Sequence, residues 1–109
     1  MNAGKYSHKI RIYRTAIQED SSGFQTEVDD GTVLTPYAEV KTTRGMTIIR
    51  NDSDFEKALT RFVIRYPHNT EINRDMRIEF KGKSYTIEYL DNVDEESKEL
   101  EIQAKEITH

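Results

Sequence analysis

Hydrophobic and polar residues alternate along most of the chain, as they do in β-strands that bury one face. Their spacing predicts about six main strands of a small, mainly antiparallel barrel or sandwich. A domain of this size hides its strand edges best by curling closed, so we predict an all-β fold, a closed or partly open barrel. The apolar rows are Ile10 and Ile12; Ala38, Val40 and Thr42; Phe62, Ile64 and Tyr66; Met76, Ile78 and Phe80; Tyr85, Ile87 and Tyr89; and Leu100, Ile102 and Ala104.

Turn signals divide these rows. Residues 19–23 and 29–31 are rich in Asp, Ser and Gly, which favours turns. Between them, residues 24–28 are short and polar, and predict a loop edge or a short strand. Residues 33–43 predict the second main strand, with Pro36 at its start or on an edge, because proline cannot donate to a ladder. Two more signals are Lys81-Gly82-Lys83, typical of a tight hairpin, and the longer polar turn 92–98.

The alternation breaks between Thr43 and Arg61, which predicts a loop or short helix inserted at residues 44–60, between the second and third main strands. Ser53 or Asp54 could cap a short helix running through Thr60. Long loops inside small domains are usually functional. The segment carries too many apolar groups for an idle solvated loop, so it either folds back on the core or packs against a neighbour. Those groups are Met46, Ile48, Ile49, Phe55 and Leu59.

The 109 residues are 35% hydrophobic and 33% charged, and the formal net charge is −4. This size predicts one domain with a modest core, which favours assembly with other subunits. The first fourteen residues hold four basic groups and no acid, whereas residues 91–101 hold six acids and one lysine. Such ends are either two solvated faces or complementary surfaces for head-to-tail contact between copies.

Catalysis, metals and cofactors are not indicated. The chain has no cysteine, and His8, His68 and His109 lack the spacing of metal ligands. Clustered acids lie in predicted turns, which lack the apolar pocket that separates the pKa values of an acid–base pair. We therefore expect a protein that is not an enzyme and needs no cofactor. No segment has the apolar length of a signal peptide or a membrane span, so we expect a cytoplasmic protein that does not enter a membrane.

Contact with DNA is the alternative function. Arg44 and Arg50 lie in the break, and Arg61 and Arg65 follow on one face of the next strand. These cations could touch phosphates, as in an oligonucleotide-binding barrel. The acidic balance argues against tight binding by the free protein, because nucleic-acid binding usually needs a basic domain.

The order of several short motifs resembles the head–tail joining proteins of tailed bacteriophages, also called head–tail adaptors, stoppers or head-closure proteins. The resemblance runs almost end to end, although Tyr37 stands where many members carry a tryptophan. The motifs are Gly4-Lys5 before His8-Lys9-Ile10-Arg11-Ile12; Asp20-Ser21-Ser22-Gly23; Tyr37-Ala38-Glu39-Val40-Lys41 before Arg44-Gly45; Thr60-Arg61-Phe62-Val63-Ile64-Arg65-Tyr66; Met76-Arg77-Ile78; Lys81-Gly82-Lys83-Ser84-Tyr85-Thr86-Ile87; and Asn92-Val93-Asp94.

The resemblance implies a β-barrel that forms a ring, dodecameric in the virion, between portal and adaptor proteins above and tail proteins below. Packaged double-stranded DNA would pass through the ring, which would be found at the head–tail interface and in the host cytoplasm during assembly. A neighbouring tail-completion protein is a further alternative. By matching position, a channel or gating loop would comprise Arg44, Gly45, Met46, Thr47, Ile48, Ile49, Arg50, Asn51, Asp52, Ser53, Asp54 and Phe55.

Overall fold

The computed structural model describes residues 5–43 and 59–107, which form one antiparallel sheet. The predicted all-β, antiparallel fold is therefore confirmed for this part of the chain. The strands are β1 (His8–Lys9), β2 (Arg11–Glu19), β3 (Gln25–Leu34), β4 (Tyr37–Thr43), β5 (Leu59–Arg65), β6 (Arg77–Phe80), β7 (Lys83–Asn92) and β8 (Glu99–Glu106), with a short 3-10 turn at Val93–Glu95.

The sheet order is β1-β4-β5-β8-β7-β6-β2-β3. It includes two more strands than the six predicted, because two long strands are each interrupted once. β1 and β2 are separated only by Ile10, whose N–H donates to the carbonyl of Pro36 at 3.0 Å. The order ends at β1 and β3, so closure into a barrel stays a prediction.

Residues 8–43 pair as one long hairpin. His8 is opposite Ala38, Ile12 is opposite Leu34 and Glu19 is opposite Gln25. The predicted strand 33–43 is wrong in its continuity, because it divides at residues 35–36 between β3 and β4. Pro36 lies just before β4, as expected for a residue that has no N–H to give to a ladder.

β3 is longer than the loop edge or short strand predicted for residues 24–28, and it contradicts the turn predicted at residues 29–31. The polar segment forms most of a ten-residue strand, and the predicted turn at Asp29-Asp30-Gly31 lies inside it. The register shifts there, Gly31 has a φ of 114°, and its N–H donates to Asp29 Oδ1 at 2.9 Å. The turn-forming chemistry is therefore present, but it makes a bulge in a continuing strand.

The core lies on one face of the sheet. Its buried side chains come from β2, from β4 to β8 and from Ile10 and Met76 just outside the strands, whereas Val33 and Leu34 of β3 pack at its border. Phe62 is central, because its ring meets those of Phe80 and Tyr85 edge to face at 5.7 and 5.3 Å. The other buried members are Ile10, Ile12, Ala38, Ile64, Met76, Ile78, Ile87, Leu100, Ile102 and Ala104.

β5 begins at Leu59, opposite Thr43 of β4. The strand therefore starts two residues before the predicted resumption at Arg61, and a helix reaching Thr60 is wrong because Leu59 and Thr60 are already in the ladder. The rest of the predicted insertion, residues 44–58, lies outside the described residues.

Residues just before β1 are fixed across the sheet to β8. The Lys5 ammonium lies 2.6 Å from Glu99 Oε2, and the Tyr6 hydroxyl donates to the same oxygen. The Arg65 guanidinium lies over the Tyr6 ring, 5.3 Å from its centroid. We call Lys5 and Tyr6 the strap.

The strap changes the ionisation of its groups. The pKa of the Glu99 carboxyl is lowered, mainly by the hydrogen bond from Lys5 and then by that from Tyr6. The pKa of Tyr6 is raised, chiefly because its hydroxyl donates to Glu99. The charged carboxylate and the protonated phenol are therefore the forms that hold the strap.

The hairpin between β6 and β7 gives a first prediction. Lys81 and Gly82 form its two-residue loop, and both have positive φ, 51° and 76°, as in the turn that fits twisted hairpins. A Cβ on Gly82 would meet nothing within 4 Å. We therefore expect Gly82→Ala to lower the free energy of unfolding by about 1 kcal/mol through backbone strain alone. Urea denaturation measures this.

The matched change at the preceding position is Lys81→Asn, which completes the preferred Asn-Gly pair. It should leave the free energy of unfolding unchanged or slightly raised. A Gly82→Ala protein as stable as the parent would contradict the role of the positive φ.

The strap gives a second prediction. A carboxyl whose folded pKa is lowered stabilises the folded contact above its unfolded pKa, and that contribution is lost as pH falls through the folded pKa. A phenol with a raised pKa contributes at lower pH and loses its contribution as pH rises through the folded pKa. The strap should therefore detach in acid, at a pH below the ordinary pKa of a glutamate, and in alkali, at a pH above the ordinary pKa of a tyrosine. The NMR shifts of the Tyr6 ring protons across a pH titration report both transitions.

Glu99→Gln should weaken the strap at neutral pH and remove the acid transition. Glu95→Gln, in the exposed turn, is the control and should leave both transitions in place. Persistence of the acid transition in Glu99→Gln would show that another group controls the strap.

Candidate interaction surfaces

A two-stranded arm projects from the sheet. β2 pairs with β6 only through Arg11, Ile12 and Tyr13, and from Thr15 onwards it pairs with β3 alone. Residues 15–29 therefore form a hairpin with two open strand edges, which we call the arm. An isolated two-stranded hairpin is marginally stable in water, so its direction depends on anchors at its base.

Two arginines on the sheet anchor the arm. Arg11 Nη2 lies 2.7 Å from Asp29 Oδ2, and Arg11 Nε donates to the Thr32 hydroxyl at 2.7 Å. Arg77 forms a second ion pair with Glu27. The pKa of Asp29 is lowered, first by the hydrogen bond from the Gly31 N–H and then by that from Arg11. The β3 strand of the arm is thus tied to the sheet by charge-assisted contacts.

The tip of the arm is ordered by one aspartate. Asp20 Oδ1 accepts hydrogen bonds from the N–H groups of Ser22 at 2.8 Å and Phe24 at 2.9 Å, and Gly23 supplies a positive φ of 83°. This local bonding fixes the turn without help from the core.

The arm exposes apolar side chains. Phe24 is 72% exposed at the tip and Ile17 is 63% exposed in β2. Within the described residues only Tyr37 and Tyr89 are also large, apolar and exposed. Exposed Phe and Ile on an ordered hairpin are typical of a contact surface. Phe24, isolated between two turn motifs, is the one signal of this surface in the sequence, and it begins the segment predicted as a loop edge or a short strand.

The arm is also uniformly acidic. Residues 15–29 contain four carboxylates and no lysine or arginine. Glu27 and Asp29 are neutralised by the anchoring arginines. Glu19 and Asp20 have no ion pair with the residues that the structure describes, so negative charge remains at the tip.

A second surface combines cations with aromatic rings. Lys9 is opposite Tyr37, and its ammonium lies 6.0 Å from the centroid of that ring. Ala38 is opposite Ile64, which brings Arg65 beside Tyr37 on the next strand. We call Lys9, Tyr37, Arg65 and the strap the basic–aromatic patch. Lys5 pairs with Glu99 and also lies in the field of Glu39, whereas Lys9 and Arg65 form no ion pair with the described residues.

The arginines predicted to contact DNA have different surroundings. Arg61 Nη2 lies 2.9 Å from Glu101 and its Nη1 lies 4.0 Å from Glu39. The hydrogen bond with Glu101 is the main cause of a raised pKa at Arg61 and a lowered pKa at Glu101. Arg61 is thus committed to two carboxylates, which reduces its attraction for phosphate.

Arg65 is exposed and belongs to the basic–aromatic patch. Arg44 and Arg50 lie outside the described residues, as does the whole predicted gating loop from Arg44 to Phe55. The structure therefore describes two of the four predicted DNA-contacting arginines, Arg61 and Arg65. The row of four stays a prediction.

The Arg61 bridge also covers an apolar side chain. Val63 points away from the core, opposite Glu39 and Glu101 on the two neighbouring strands, and yet it is 2% exposed. Arg61 contacts both of these carboxylates. The charged side chains thus shield Val63, and this part of the outer face is structural.

Some charges of the basic and acidic ends form ion pairs with each other within one copy of the chain. Lys5, from the basic beginning, pairs with Glu99, from the acidic stretch. Arg11 pairs with Asp29 and, at 3.5 Å, with Glu79. These charges stabilise contacts within one copy, whereas Lys9 has no acidic partner among the described residues.

One cleft beside the arm, of about 760 Å³, is lined by charges that neutralise one another, Arg11 with Glu79 and Arg77 with Glu27. No group of three potential metal ligands occurs within residues 5–43 and 59–107. Over the same residues, no helix has the length and apolarity needed to cross a membrane.

Two solved structures share this fold. The solution structure of protein SF1141 from Shigella flexneri 2a aligns with a TM-score of 0.63 at 24% identity, covering 97% of this chain and 96% of that one. A component of the virion of a native gene transfer agent particle aligns with a TM-score of 0.62 at 17% identity, covering 94% and 96%. No curated protein is significantly similar to the chain.

The sequence family decides the class. The model of the phage head completion proteins matches residues 1–107, almost the whole chain. Such a protein is a structural part of the phage particle, which confirms the expectations that this chain acts in the virion and is not an enzyme. Together with the resemblance of its motifs, this match shows that the chain belongs to the phage head completion protein family.

Proposed function

We propose that the chain forms a ring beneath the portal and adaptor proteins, extends the DNA channel and presents a docking surface to the tail. The family match over residues 1–107 carries this proposal, because completing a head means closing the vertex through which DNA entered. The dodecameric ring of the resembling proteins is the stoichiometry we adopt. The two unlike contact surfaces on one small sheet support assembly into a ring.

We further propose that the sheet closes as a six-stranded barrel. The strand formed by residues 8–19 pairs with β4 and β3 along one edge and with β6 along the other. β6, β7, β8, β5 and β4 then follow one another as neighbours. If residues 8–19 count as one strand and residues 25–43 as another, the sheet has six strands, and each strand has two neighbours. This arrangement supports a closed barrel. Such closure would protect the edges of the sheet everywhere except in the arm.

Residues 44–58 are the proposed channel loop. Their support is positional, since the chain leaves the sheet at Thr43 and re-enters it at Leu59, directly opposite. This end of the sheet is also where the Lys81-Gly82 turn lies, and the tip of the arm is at the other end of the strands. A loop at one end would face the channel while the arm contacts protein.

The acidic balance of the chain fits this role. A net charge of −4 repels phosphate, so DNA could slide through the ring without being held. Retention would then depend on steric closure by the loops of neighbouring copies. Strong binding to the DNA backbone would oppose both packaging and ejection.

The loop can be tested without disturbing the fold. Thr43 and Leu59 are paired across an antiparallel ladder, so a two-residue Asn-Gly turn can replace residues 44–58. We expect the shortened protein to fold with an unchanged sheet, measured by circular dichroism and urea denaturation. Phage carrying it should form heads that lose their DNA, measured by nuclease sensitivity and electron microscopy.

A second variant replaces the same segment with Gly and Ser residues at full length, which separates the loop's length from its side chains. Shortened-loop heads that incorporate the protein and retain DNA would refute the gating role. Heads that lack the protein altogether would count against the proposed site of action.

A further inference from the structure

We infer that the arm of one copy docks on the basic–aromatic patch of the next copy. This contact rests on the proposed function, since it is the one by which neighbouring copies in a ring would recognise each other. The occupant of the patch is thus a second copy of this chain, presenting the tip of its hairpin.

Charge favours this pairing. The tip carries Glu19 and Asp20 without cationic partners in the described structure, and no residue of the arm is basic. The patch presents Lys9, Lys5 and Arg65, of which only Lys5 forms an ion pair with the described residues, to Glu99. Complementary potentials steer association and fix its orientation.

Apolar area is available on both surfaces. Phe24 is 72% exposed at the tip of the arm, and Tyr37 is 57% exposed within the patch. Aromatic side chains flanked by charge are the composition of interface centres. Contact between them would remove from water two of the four large exposed apolar groups that the described residues hold.

The contact cannot form within one copy. Lys9 and Glu19 lie on the same run of strand, ten residues apart in a fixed register, which is about 33 Å at the rise of a β-strand. The arm therefore points away from its own patch. A contact between two different surfaces is heterologous, and it builds a ring when the rotation between copies closes.

A second copy fits the patch better than DNA does. Stacking on bases needs free ring faces. Here Lys9 lies over the Tyr37 ring, and Lys5 and Arg65 lie over the Tyr6 ring. Glu99 adds a negative charge in the middle of the cations. Glu99 repels a duplex with its whole row of phosphates, whereas the tip of the arm brings only the two carboxylates of Glu19 and Asp20.

Disulfide trapping tests the geometry, because the natural chain has no cysteine. Ser22→Cys marks the tip, and Ser7→Cys marks the patch beside the strap while keeping every charge. The control pair combines Ser22→Cys with Lys105→Cys, which is exposed on β8 and outside the patch. Each double-cysteine variant is the only version of the protein in the phage. The particles are purified under reducing conditions and then oxidised.

The 7–22 pair should give a ladder of linked chains on a non-reducing gel, and the control pair should give monomer. The two sulfurs of one copy are far too distant to join, so each link reports two copies. Particles that contain the 7–22 protein without a ladder above control would overturn this inference and leave the proposed function standing. If purified wild-type particles did not contain the chain, the proposed function itself would be contradicted.

Charge reversal gives an independent measure that does not depend on cross-linking. Glu19→Lys and Lys9→Glu should each reduce incorporation into particles by roughly three- to tenfold, and the double variant should recover it. Circular dichroism of the purified variants confirms that each is folded. Failure of the double variant to recover would overturn the contact. Binding of a duplex oligonucleotide that Lys9→Glu abolishes would assign the patch to DNA instead.

Discussion

The pairing of residues 8–19 along both edges is the constraint on which the rest of the structure depends. One edge of this strand bonds to β4 and β3, and part of the other bonds to β6. Its register directs Ile10 and Ile12 into the core and Lys9 and Arg11 outwards. Because β6 is only four residues long, the strand outruns its neighbour and the arm begins. The core, the basic–aromatic patch and the arm thus all depend on the pairing of this one strand.

Arginine does structural work on the outer face. Arg11, Arg61 and Arg77 each reach carboxylates on neighbouring strands or on the arm. Exposed ion pairs of this kind contribute little free energy individually. Their geometry is nevertheless specific, because a planar guanidinium bonds in a fixed direction. They therefore orient the arm and shield Val63 more than they add stability.

A protein that completes a phage head works through its surfaces, and this sheet is arranged for that purpose. One cleft beside the arm is lined by mutually neutralised charges, whereas Lys9 and the tip of the arm carry charges that form no ion pair with the described residues. The tip of the arm and the basic–aromatic patch lie far apart on the same hairpin, so they cannot bind each other within one copy. This separation favours contact between copies. The small core that the composition predicts is consistent with a chain whose stability is completed by its neighbours.

The sequence by itself determined most of the core rows and the tight turn at Lys81-Gly82. One predicted row is wrong at its end, because Tyr89 is 52% exposed beyond a register shift between Ile87 and Tyr89. Period-two alternation placed Phe62 and Ile64 inside and Arg61 and Arg65 outside, because a strand alternates its side chains whatever its partners are. Lys81-Gly82 predicted a two-residue loop, because glycine readily adopts the positive φ that such a loop requires. The family followed from the order of such motifs.

Only the tertiary structure decided the arm and the partners of the charges. The full length of β3 was not predicted from the sequence. The arm is solvated on both faces, so hydrophobic and polar residues do not alternate along it. The union of Lys5 with Glu99, 94 residues apart in the chain, and of Arg61 with Glu101 depends on which strands become neighbours. Hydrophobic pattern reports that a side chain is buried or exposed, and it carries no information about what lies opposite.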